Sequence, residues 1–111
     1  DEAKQYFNLQ MEYCNRILGL DLPDVDHYAA YYDKAAIYAF RGEKEKAFES
    51  LRRFNQQKTI LAWMHQLIKI DPLLENIREE PEFQQIVRDV EAKYQAEHER
   101  VRQWLEENDM L

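Results

Sequence analysis

Two glycines and three prolines in 111 residues leave little material for tight turns or bulges, which argues against a loop-rich or all-β chain. A single cysteine, Cys14, can form no internal disulfide. No apolar run approaches the roughly 20 residues that cross a bilayer, so no membrane insertion is expected. With so little glycine, neither a Gly-x-x-x-x-Gly-Lys nor a Gly-x-Gly-x-x-Gly phosphate loop occurs. Serine appears once, as Ser50, with no partner nearby in sequence. His27, His65 and His98 stand far apart, outside any His-Glu-x-x-His pattern. The chain therefore reads as non-catalytic, with no cofactor and no metal site. Positive charge is also short: 15 basic against 22 acidic side chains gives −7, which disfavours nucleic acid or an anionic membrane as a partner. The chain starts Asp1-Glu2 with neither methionine nor a signal sequence. It reads as a C-terminal piece of a larger protein, with a cytoplasmic setting expected.

What is present is helical. Charged residues make up 33% of the chain with both signs mixed, and aromatics 13%, a balance that folds rather than stays disordered. The length suits one domain over residues 1–111, large enough to bury a core without disulfides. The organising stretch is 29–51. Tyr28, Tyr31, Tyr32, Ala35, Tyr38 and Ala39 recur at steps of three and four, one side of a helix. Gly42 then stops it, because glycine enters the left-handed conformation without a Cβ penalty. Glu43 to Lys46 open a second arm with the stripe Ala47, Phe48, Leu51 and Phe54. Ala35 and Ala47 fall where the arms should touch, and their small size permits close approach.

The first helix is expected from Ala3 to Leu18, with the stripe Ala3, Phe7, Met11, Cys14, Ile17 and Leu18 and a stop at Gly19. Cys14 on that stripe reads as a buried structural residue. Residues 21–26 form a connector in which Asp24 or Asp26 can cap the next helix. Its three acids lack the glycine and closing glutamate of a calcium loop. After Asn55-Gln56-Gln57, Thr59 can cap a helix from Ile60 to Ile70. Leu61, Met64, Ile68, Trp63, Leu67 and Ile70 make that helix apolar on most sides, so it should be the most buried, with His65 as a hydrogen-bonded core residue. Asp71-Pro72 and Glu80-Pro81 are both start signals. The first begins a short helix marked by Leu73, Leu74 and Ile77. The second begins a helix running to about Asn108, whose first half packs through Phe83, Ile86, Val87 and Val90. Its second half is an overhang with intrahelical ion pairs, or a helix–helix contact through Tyr94, Val101, Trp104 and Leu105.

The order Tyr31, Ala35, Tyr38, Gly42, Ala47, Leu51 resembles one tetratricopeptide repeat. It does not recur one repeat length downstream, where His65 and Pro72 stand instead. Residues 70–83, with Asp71-Pro72, spaced Leu and Ile, Arg78 and Pro81-Glu82-Phe83, resemble the segment that closes the last such repeat in bacterial regulatory and signalling proteins. The resemblance implies an all-α fold of antiparallel hairpins stacked as a short α-α superhelix with a long C-terminal helix. It also implies a protein–protein interaction module, with a protein or peptide partner on the side of the first arm bearing Tyr32, Ala36, Ala39 and Phe40. Tyr31, Ala35, Tyr38, Ala47 and Leu51 would be packing residues. The alternatives are a homodimerising domain that uses Val101 and Trp104, and an accessory domain of a DNA-binding or enzymatic protein.

Overall fold

The structure, a computed structural model, describes residues 2–21, 24–58, 60 and 62–110, with the side chains of 24–26 left aside. The capping roles read for Asp24, Asp26 and Thr59, and the place of Leu61, lie outside the described residues. Among the described residues, five α-helices and one 3-10 helix follow in order: α1 Glu2–Leu18, α2 Asp24–Phe40, α3 Lys44–Phe54, α4 Ala62–Ile70, the 3-10 helix Pro72–Ile77, and α5 Pro81–Glu107. Among the described residues there is no strand, so the chain is all-α.

The α2–α3 pair has the most extensive helix contact in the molecule. The link between them is a Schellman turn. Gly42 sits at φ 82°, Gly42 N donates to Ala39 O at 3.0 Å, and Glu43 N donates to Tyr38 O at 2.9 Å. Ala35 and Ala47 are both fully buried, in one core cluster with Leu51, Phe54, Met64, Ile68, Leu74, Ile77, Phe83, Ile86 and Val90.

Three other elements pack around this pair. α1 lies on α2, and Cys14 is its one buried residue. Burial, with Asp33 nearby, pushes the Cys14 thiol up to about 11, so it behaves as a packing group and not as a nucleophile. Elsewhere α1 touches through its rim: the Phe7 ring lies 5.1 Å from that of Phe40, and Arg41 donates to Asn8 Oδ1 at 2.7 Å. The 3-10 helix covers another side of α2. Asp71 caps it, its Oδ1 accepting from Leu73 N at 3.0 Å with Pro72 in the first turn. Its Asn76 Nδ2 donates to Ala39 O at 2.9 Å.

α5 runs across α3 and α4. Phe83, Ile86 and Val90 are its buried residues. Polar ties fix its register on α3: Lys44 to Glu80 at 2.8 Å, a bidentate Arg52–Glu82 pair at 2.6 and 2.7 Å, and Asn55 to Asp89 at 2.9 Å. Lys93 Nζ donates to Asn55 O, satisfying a carbonyl at the α3 C-terminus. Past Tyr94 the helix leaves the body, and 27 residues at 1.5 Å each make it about 40 Å long. The molecule extends 56 Å along its longest axis. The expected overhang carries the expected ion pairs, Arg100–Glu97, Arg102–Glu99 and Arg102–Glu106.

The expectation for α4 needs correction. Met64, His65 and Ile68 are buried, but Trp63 is 50% and Ile70 73% exposed. Its apolar residues encircle the helix, yet neighbours cover only part of that circle.

Candidate functional site

Tyr32, Ala36 and Ala39 were expected on a ligand-facing side of α2, and the structure places them in the core at 1, 3 and 0% exposure. The 3-10 helix and Asp71 lie over them. Tyr32 Oη donates to Asp71 Oδ2 at 2.7 Å, and its ring meets Phe54 edge-on at 5.4 Å. Burial, then the Asp71 carboxylate, holds the phenol far above its ordinary range, so it stays a neutral donor. Arg78 completes the knot. Its Nη2 donates to Asp71 O at 2.6 Å and its Nη1 to Lys69 O at 2.7 Å, which satisfies carbonyls at the end of α4. This is a structural clasp, with Tyr32 almost wholly inside it, though Tyr32 and Ala36 still line the cleft beside it. A narrow cleft of about 130 Å³ remains beside it, between α1 and Leu67, Asp71 and Leu73. Phe40 is exposed at 51%, with one face against Phe7.

Val101 and Trp104 sit on the overhang of α5, both exposed, with Leu105 half-buried beside them. They lie three residues apart and so on one side of the helix.

His65 is a hydrogen-bonded core residue, as expected. Its Nε2 donates to the Glu91 carboxylate, which also accepts from Lys69 Nζ at 3.1 Å. That ammonium is the main reason the Glu91 carboxyl titrates below the usual range. The imidazole lies flat on Tyr94, with ring centres 4.0 Å apart and 3° between planes. At 4% exposure the ring is closed to a substrate. Its chemistry is that of a pin between α4 and α5. Among the described residues no group of three or more His, Cys, Asp or Glu side chains could hold a metal ion.

The surface that sequence reasoning missed is a groove of about 510 Å³ along the other side of α2. Tyr31, Lys34 and Tyr38 form its floor, Lys46, Glu49, Ser50 and Arg53 of α3 one wall, and Asn15, Leu18 and Gly19 at the end of α1 the other. Its volume lies within the roughly 300–1,000 Å³ of ligand clefts. Tyr31 and Tyr38, expected as packing residues, do pack against the core cluster, and being half-buried they also line the groove. Lys46 stands 5.7 Å above the Tyr38 ring and reaches Glu43 at 3.5 Å. Among the described residues neither Lys34 nor Arg53 has an acidic group within ion-pair distance. Three cations thus face one carboxylate here, in a chain whose total charge is −7. A reader of the sequence has no direct signal for this. The cations are scattered over twenty residues, and only the pairing of α2 with α3 gathers them. No protein-family model matches this chain, and no curated protein or solved structure is significantly similar to it.

Proposed function

We propose that this chain is a non-catalytic, tetratricopeptide-like helical module that holds a segment of another protein, within a regulatory or signalling protein. The observation that carries the reading is the open groove over the α2–α3 pair, lined by two tyrosine rings and by Lys34, Lys46 and Arg53, of which Lys34 and Arg53 have no acidic group within ion-pair distance among the described residues. An open channel with mixed aromatic and charged lining suits an extended chain better than a small enclosed ligand. Selection of phage-displayed peptides on the folded protein tests it. Enrichment of related sequences that lose binding when the protein is denatured is expected; no enrichment over background would sink the reading.

A second reading rests on the overhang of α5. Val101 and Trp104 are apolar and exposed, on one side of the far half of α5, and no described residue buries them. In this reading two copies pair through that side. Light scattering separates the two. A dimer abolished by Val101→Glu with Trp104→Glu supports pairing; a monomer before and after the change rejects it.

A further inference from the structure

We infer that the groove along α2 and α3 takes an extended, acidic stretch of a partner protein, with carboxylates spaced about 10 Å apart. This rests on the interaction-module reading and names the chemistry of its partner.

The geometry comes from helical arithmetic. Lys46 and Arg53 are seven residues apart on α3, about two turns, so their stems emerge along the same wall about 10 Å apart. Tyr31 and Tyr38 have the same separation on α2, with Lys34 between them. The two helices run in opposite directions about Gly42, which sets Tyr38 beside Lys46, as their 5.7 Å contact records. Arg53 is then at the far end with Tyr31. Each end of the groove thus offers a cation and an aromatic ring, and Lys34 adds a third cation at the centre. An extended strand advances about 3.3 Å per residue. A strand, however, turns residues three apart to opposite faces. The polyproline II form of an extended chain instead has three residues per turn and a rise of about 3.1 Å, so acidic residues three apart share a face about 9 Å apart. In that form they reach Lys46 and Arg53 together, with the intervening residues over the tyrosine floor.

Charge selects the occupant. Of the three cations Lys46 is paired with Glu43 at 3.5 Å, and Glu49 is the one carboxylate of the lining, so Lys34 and Arg53 leave the channel with a net positive charge. An incoming carboxylate offsets that charge, and low-dielectric walls focus the attraction. The remainder of the molecule is strongly acidic, which repels a long polyanion such as nucleic acid far more than a short segment carrying a few acids. Guanidinium and carboxylate also match as a planar pair, which favours the acid over a neutral amide at the Arg53 end.

The test uses the whole chain and a fluorescein-labelled peptide in which glutamates at every third position are separated by alanine and leucine. The control replaces every glutamate by glutamine. Fluorescence anisotropy should show the acidic peptide binding at least about tenfold more tightly than the amide control, with affinity falling as salt is raised. Lys34→Glu with Arg53→Glu should cost about tenfold or more, whereas Arg53→Lys should retain most of the binding. Circular dichroism checks that each variant remains folded; both side chains are at the surface of the groove, so the melts should coincide. Equal affinity for the acidic and glutamine peptides, or binding indifferent to the double reversal, would overturn the inference. In that event, peptides of another composition enriched by phage selection would leave the module reading standing, and an empty selection would remove both.

Discussion

Asp33 is half-buried on α2, with Gln10 of α1 donating to its Oδ2 at 3.4 Å. Loss of water raises its carboxyl pKa above the ordinary value, Gln10 partly offsets the rise, and Asp71 adds to it. A carboxyl with a higher pKa folded than unfolded binds its proton more tightly in the native state. Its contribution to stability is therefore full below the unfolded pKa, about 4, and is lost as pH rises through the folded value. Asp33→Asn removes that loss. The variant should melt higher than the parent at pH 7, and the advantage should shrink as the buffer is taken below pH 4. The gain will be small, because the carboxylate keeps part of its water. A lower melting point for the variant at pH 7, or an advantage that persists unchanged into acid, would contradict this account. Burial of this kind is not readable from Asp33 in the sequence, where it is one more acid on a helix.

At the scale of the element, the α2–α3 pair turns on two alanines. Ala47 is fully buried opposite α2, and Ala35 is fully buried on α2 itself. Ala47→Leu should destabilise the protein by about 1–3 kcal/mol through overpacking, measured by urea titration. An unchanged midpoint would mean that the contact is looser than the burial implies. Here the sequence was informative, because a glycine in the left-handed region, a periodic stripe and paired small residues each have a local physical cause. Asp71-Pro72 was legible for the same reason, since a cap and a proline act on their own backbone. The pattern misled at Tyr32 and α4. Periodicity says which residues share a face and is silent on what lies over that face. Tyr32 shares a face with exposed candidates such as Phe40, yet Asp71, 39 positions later, closes over it. Trp63 and Ile70 look like core residues in a line of text, yet half or more of each stays exposed in the fold.

For the whole molecule, the division of α5 into a packed and an unpacked half decides where stability resides. Its buried residues, Phe83, Ile86 and Val90, all precede residue 91, and Tyr94 stacks on His65 just beyond. Removing residues 97–111 should therefore leave the denaturant midpoint within about 0.5 kcal/mol of the parent, as expected for changes away from the core. The ion pairs lost with them are exposed and contribute little. A larger drop would show that the far half of the helix supports the body.

That same helix is clamped at its base by Arg52, Asn55 and Lys44 and runs free at its tip. It is a lever arm. Over the roughly 20 Å from Tyr94 to the end, a tilt of about 5° at the clamp displaces the tip by roughly 2 Å. Because the clamp is built on α3, the helix that also forms a wall of the groove, a displacement of α3 is delivered, magnified, to Trp104.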